Sequence, residues 1–86
     1  MVLNKNLFKG AAAHLESNLV VFAPYNADCV GTFDVISDTF ACIDINMTLD
    51  EKKFDGAATH PESGLVVFAP SSADCVGTFD VNSNTF

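Results

Sequence analysis

Tryptophan and arginine are both absent from this chain of 86 residues, and charged residues make up only 17% of it. Four basic residues, all lysine, stand against eleven acidic ones, giving a net charge of −7. Neutralising a phosphate backbone takes several cations on one face. A nucleic-acid partner is therefore not expected, nor is an anionic membrane surface. No stretch approaches the roughly 18 consecutive apolar residues of a spanning helix, so no transmembrane segment is expected. The opening MVLNKNLFKGAAA lacks an apolar core of adequate length and is not read as a signal peptide. Cysteine is scarce: Cys29, Cys42 and Cys75 are odd in number and show no CxxC spacing. That pattern suggests free thiols and a cytoplasmic or other reducing compartment. The nucleophile elbow, the P-loop and the dinucleotide fingerprint are all missing. No cofactor is expected, and the chain alone reads as non-enzymatic.

What the chain has is apolar material. Hydrophobic residues make up 49%, and eight of the aromatics are Phe. A domain of this size buries only about 60–65% of the surface its unfolded chain exposes. The composition therefore holds more apolar surface than a small monomer can easily hide.

The chain also repeats itself. ADCVGTFDV occurs at 27–35 and again, letter for letter, at 73–81. With each residue set against the one 46 positions later, Phe8–Phe40 falls on Phe54–Phe86 without a gap, and only eight of the 33 pairs differ. Met1 falls on Met47 in the same register, and ACIDIN (41–46) has no second copy. The organisation reads as two units, 1–46 and 47–86, the second without its last strand. A period of roughly 40–50 residues points to helical repeats or to propeller blades.

Local patterning favours strands. No window sustains a 3.6-residue period; TLDEKKF is a polar connector with at most one helical turn. Short apolar runs separated by Gly, Pro, Asn, Asp and Ser clusters predict four strands per unit. These are GAAAH or GAATH, LVVFA, CVGTFDV and, in the first unit alone, FACIDI. The loops between them are short, as in hairpins, and Pro24 and Pro70 stop the second strand. LVVF does not alternate, which predicts a sheet covered on both faces. In the third strand, Cys29, Gly31, Phe33 and Val35 point one way, and Val30, Thr32 and Asp34 the other. The first strand, almost all Gly and Ala, suits a crowded axis. The fold class read from these patterns is all-β: antiparallel four-stranded meanders stacked face to face, as in propeller blades.

The run GLVVFAPSSADCVGTFDVNSNTF resembles blades of the YVTN/kelch-like propeller superfamily, in which an apolar strand and an AP-x-x-AD turn lead to a strand ending D-x-x-T/S-N-T. The resemblance covers nearly the whole chain. The paired glycines of a kelch strand are missing, with Gly10–Ala11 and Gly56–Ala57 in their place, and so is the Trp-Asp of WD-repeat blades. A βγ-crystallin-like two-motif sandwich is the alternative, since LNKNLFKG and LDEKKFDG echo that family's aromatic-x4-aromatic-x-Gly element. Two blades cannot close a ring of about four to eight. A non-enzymatic structural and interaction module acting within a homo-oligomer, a longer propeller or a larger complex is therefore expected, with protein as the partner.

Four residues are candidates for ligand binding. His14 and His60 end the first strand of each unit, which on a propeller lies near one mouth of the channel; there a ring of imidazoles would take an anion or a metal. The alternative is a turn histidine bonded to nearby backbone. Asp28 and Asp74 recur in the AD turns, where Asn26 or Ser72 would add oxygen donors for calcium; turn closure accounts for them equally well. A site of this kind would make the intact propeller an enzyme or a ligand-binding protein, the second functional reading. The cysteines are expected to be small buried hydrophobes, and their spacing suggests no zinc site. Asp34 and Asp38 face Asp80 and Asn84 in the second copy, which weakens a paired-carboxylate reading. NMT at 46–48 matches a glycosylation sequon.

Overall fold

The computed structural model describes residues 7–46 and 52–86. The chain is all-β in two antiparallel sheets. The first sheet holds β1 (Phe8–His14), β2 (Leu19–Pro24), β3 (Cys29–Asp34) and β4 (Thr39–Asp44) in that order. The second holds β5 (Phe54–His60), β6 (Leu65–Pro70) and β7 (Gly77–Asp80). Each sheet is a plain meander, so every strand pairs with its sequence neighbour. The unit boundary at 46/47, the first half of the TLDEKKF connector and two residues of the NMT sequon fall on positions 47–51, outside the described residues.

The turns are built twice from the same chemistry. Asp34 Oδ1 accepts from the Ile36 and Ser37 amides at 3.0 and 3.2 Å, closing the β3–β4 turn. Asp80 Oδ1 does the same for Asn82 and Ser83 at 2.9 and 3.4 Å. This is the Asx bonding expected of aspartate at a turn. The turns carry left-handed residues at Asp38 (φ 58°) and Asn84 (φ 59°), residue types that tolerate this conformation. The β1–β2 connection is a 3-10 turn, Leu15–Ser17, ended by left-handed Asn18 at φ 60°.

Side-chain alternation gives each sheet two faces. Register places Ala12 beside Val21, Val21 beside Thr32 and Thr32 beside Ala41. With Ala23, Val30, Ile43 and Ile45 these form the inner face of the first sheet. Onto it pack Phe54, Val66, Phe68 and Phe79 of the second sheet, with Phe86 at the margin. β5 lies against β1 and, less extensively, β2. The core is therefore the layer between the sheets, with Val21, Ala23, Val30, Phe54, Val66, Phe68 and Phe79 inaccessible to solvent.

The closest approach is between backbones. A one-residue bulge lies between Phe8 and Ala11, and its copy between Phe54 and Ala57. Each contains a glycine at positive φ, Gly10 at 89° and Gly56 at 102°, as a glycine-containing bulge requires. A Cβ on Gly10 would lie 2.5 Å from Gly56 Cα. The small side chains of β1 and β5 thus let the two strands approach closely at Gly10 and Gly56. Sheet coverage differs from the expectation drawn from LVVF. Among the described residues each sheet is covered on one face only, and apolar side chains of the other face, Phe40 and Val76 among them, are exposed.

The cysteine expectation is also corrected. Cys29 and Cys42 are disulfide-bonded across β3 and β4, with Cα atoms 5.3 Å apart. The register explains why. Cys42 stands opposite Gly31, which makes it the diagonal neighbour of Cys29 on the same side of the pair and within disulfide reach. Cys75, the copy of Cys29, is an exposed free thiol.

Candidate interaction surface

The two open faces repeat the two faces of the core. On the outer side of the first sheet, Phe8, Phe22 and Phe40 form a ring cluster with centroids 6.0–6.4 Å apart. Phe54, Phe68 and Phe86 form the same cluster in the second sheet at 5.7–6.4 Å, turned into the core. Glycine makes room for the rings in both copies: a Cβ on Gly31 would touch Phe8 and Phe22 at 3.1 Å, and one on Gly77 would touch Phe54 at 2.8 Å. The two clusters differ in cover. Phe54 and Phe68 are fully buried, while Phe40 is 52% exposed. On the far side of the second sheet, Ala58, Val67, Ala69 and Val76 copy Ala12, Val21, Ala23 and Val30. There Val76 is 57% exposed, and a Cβ on Gly56 would meet nothing within 4 Å.

Polar contacts fix the two units together. Thr59 Oγ donates to the Ala13 carbonyl at 2.8 Å. Thr59 is the copy of Ala13 itself, so the added hydroxyl reaches back 46 positions to the residue it replaced. The segment leading into β5 sits on the β2–β3 loop. Lys52 N–H donates to Asn26 Oδ1 at 3.0 Å and Lys53 N–H to the Tyr25 carbonyl at 2.8 Å. The ammonium of fully buried Lys53 lies 3.6 Å from Asp28 Oδ1. The loop carries a further contact: Lys9 Nζ stands 4.6 Å from the Tyr25 ring centre, a cation–π contact. In the second unit Asp55 and Ser71 replace both partners together.

The four predicted ligand residues are held separately, and no hydrogen bond or ion pair joins one to another among the described residues. His14 is buried, and its Nδ1 lies 2.7 Å from Ser17 Oγ. Ser17 Oγ donates to the His14 carbonyl at 3.2 Å. His60 repeats the arrangement with Ser63 at 2.8 and 3.3 Å, on the surface. Both imidazoles thus brace the turn after their strand. His14 also borders a cavity of about 250 Å³ lined by Ala13, Leu15, Glu16, Thr59 and Pro61. His60 does not line it. Asp28 serves the junction between units through Lys53, and Asp74 is exposed. Among the described residues no group of three His, Cys, Asp or Glu side chains converges to hold a metal ion. No described helix is long and apolar enough to cross a membrane.

Sequence reasoning missed Thr59, Lys53 and the disulfide. The first had a legible signal, since Thr59 is one of the few places where the copies differ. The disulfide needed only the hairpin register. Lys53 had no such signal, because burial of a lysine follows from the packing of its neighbours. No family model, no curated protein and no solved structure matches the chain.

Proposed function

We propose that this protein is a non-enzymatic interaction module whose two units are blades of a propeller-like array, and that it acts by stacking its open faces on further units of the same kind. The first such partner is a second copy of the chain. One observation carries the reading. The core is a contact between a Phe-cluster face and a Val/Ala face, and each of these faces is presented again, open, on opposite sides of the molecule. Phe8, Phe22 and Phe40 of one copy have the same residue types and ring spacing as the cluster that already binds Val21, Ala23 and Val30. Val67, Ala69 and Val76 of another copy have the residue types that receive it. Large open apolar faces of this kind mark association sites.

Such a contact is head-to-tail. It closes into a ring where the rotation between units permits, and grows without end where it does not. Rings of three or four chains would hold six or eight blades, within the usual propeller range of about four to eight. The likeness to YVTN/kelch-like blades supports the same reading. Light scattering after size exclusion at two concentrations tests it. A discrete oligomer is expected. A monomer that persists as concentration rises overturns the proposal, and open-ended growth keeps the stacking contact while removing the ring.

A further inference from the structure

The cavity beside His14 lies where the two units meet, and it collects unlike residues. Of the eight positions at which the copies differ, two are Ala13 with Thr59 and Leu15 with Pro61. All four of these residues line the cavity, together with His14 and Glu16. Ala13, Leu15 and Pro61 give it apolar walls. Thr59 is already committed, since its hydroxyl donates to the Ala13 carbonyl at 2.8 Å. Glu16 is exposed at the rim. His14 differs from the rest, because only 5% of it is exposed. Its Nδ1 is engaged with Ser17 Oγ, and its Nε2 has no hydrogen-bond partner among the described residues. No sealed-off side-chain nitrogen or oxygen among those residues lacks a partner. Nε2 is therefore not sealed off, and it meets the space that the cavity opens. One polar atom set in an otherwise apolar hollow is how a ligand site fixes the orientation of what it holds.

We propose that this junction cavity binds a compact, uncharged apolar molecule bearing one hydroxyl group, with the hydroxyl on His14 Nε2 and the apolar body against Leu15 and Pro61. A hydroxyl both donates and accepts, so it pairs with Nε2 whichever imidazole nitrogen carries the proton. An anion is opposed by the Glu16 carboxylate at the rim and by the net charge of −7. A cation gains little from Glu16, which is exposed and screened by solvent. The buried group it would meet is an imidazole, which itself turns cationic on protonation. The volume of about 250 Å³ falls below the roughly 300–1,000 Å³ of drug-sized pockets, so the molecule is on the scale of a single ring. A rigid ring also loses little conformational freedom on binding. The walls come from both units, so the occupant bridges the end of β1 and the end of β5.

The test uses the intact 86-residue chain at about pH 8, above the ordinary imidazole range. Phenol is the probe. Toluene replaces its hydroxyl by a methyl group, and benzoate and benzylammonium carry the two signs of charge. Nitrogen–proton NMR reads the imidazoles directly. The chain has two histidines, and His60→Ala, at an exposed site, leaves the His14 signals alone and so assigns them. Phenol is expected to shift the His14 ring signals saturably, alike in the wild type and in His60→Ala, with a dissociation constant on the order of 1 mM. Toluene is expected to bind roughly five- to tenfold more weakly, the effect of one lost hydrogen bond, and both charged rings more weakly than phenol. Nuclear Overhauser contacts from the phenol ring are expected at Pro61 and Thr59. No saturable shift at His14, or equal affinity for toluene, overturns the proposal, and so does tighter binding of either charged ring. Contacts at Leu19 and Val35 in place of Pro61 and Thr59 overturn it too, because those two residues line a different cavity, of about 190 Å³, that His14 also borders. Every readout concerns the junction within one chain, so failure leaves face stacking standing.

Discussion

Replacing Gly10 by alanine puts a methyl carbon 2.5 Å from Gly56 Cα and 2.8 Å from Gly56 N. Replacing Gly56 puts the same methyl into open space. The pair is a matched comparison. Both glycines stand in a Gly-Ala-Ala sequence, in a bulge of the same register, at φ 89° and 102°. A Cβ at positive φ costs about 1–2 kcal/mol in either place, so that term cancels in the difference. The remainder is the contact between units. Carbon atoms pack at about 3.5–4.0 Å, so the sheets must part by about 1 Å at Gly10. Overpacking of this kind costs typically about 1–3 kcal/mol. Gly10→Ala is therefore expected to lose about 2–5 kcal/mol and Gly56→Ala only about 1–2. The whole domain is worth roughly 4–13 kcal/mol at about 0.05–0.15 per residue, so the first loss is severe. Urea unfolding followed by circular dichroism at low concentration measures both. Equal losses would refute the reasoning, since they would mean that the Gly10–Gly56 contact carries no packing constraint. The stacking proposal adds a second readout. The Gly56 methyl projects from the face offered to the next copy, so Gly56→Ala is expected to fold and yet fail to associate.

The remaining expectations use the same repeat symmetry. Phe68→Ala removes a fully buried ring and is expected to cost about 3–5 kcal/mol, whereas Phe22→Ala, on the open face, is expected to cost clearly less in the monomer and to dissociate the oligomer; urea unfolding with light scattering separates the two effects. Reducing the Cys29–Cys42 disulfide, which spans 13 residues, is expected to lower stability by about 3 kcal/mol, read as a shift in urea midpoint with and without reductant. Cys75→Ser, at an exposed site, is expected to leave stability within about 0.5 kcal/mol. Thr59→Ala deletes the bond to the Ala13 carbonyl and is expected to cost about 0.5–1.5 kcal/mol; an unchanged midpoint would mean that water replaces the hydroxyl at no cost.

Much of the strand pattern was legible because its signals are local. LVVFA ends at proline, and β2 and β6 do end at Pro24 and Pro70. GAAAH lies within β1, and FACIDI overlaps β4 (Thr39–Asp44). The alternation within CVGTFDV also matches the fold, since Gly31 faces the rings of Phe8 and Phe22 while Val30 faces the core. The site was far less legible. Histidine at a strand end is compatible with a ligand or with a turn brace, and only the 2.7 Å contact with Ser17 tells which partner His14 has taken. Asp28 read as a possible oxygen donor, and its partner is a lysine 25 positions later, a distance in sequence that no local pattern spans.

By itself the sequence determined that the chain is made of strands, that they come in two like sets, and where the turns fall. Period-two alternation, proline stops and Asx turns act within a few residues, so both copies obey them. Only the tertiary structure decided what happens to each copy. Phe68 is buried and Phe22 is not fully covered, Cys29 is bonded and Cys75 is free, and CVGTFD is a strand of six residues in one place and four in the other. The residues are identical, so the difference resides in what lies beside them. Burial and strand pairing are properties of neighbours, and neighbours are chosen by the packing of one sheet on the other.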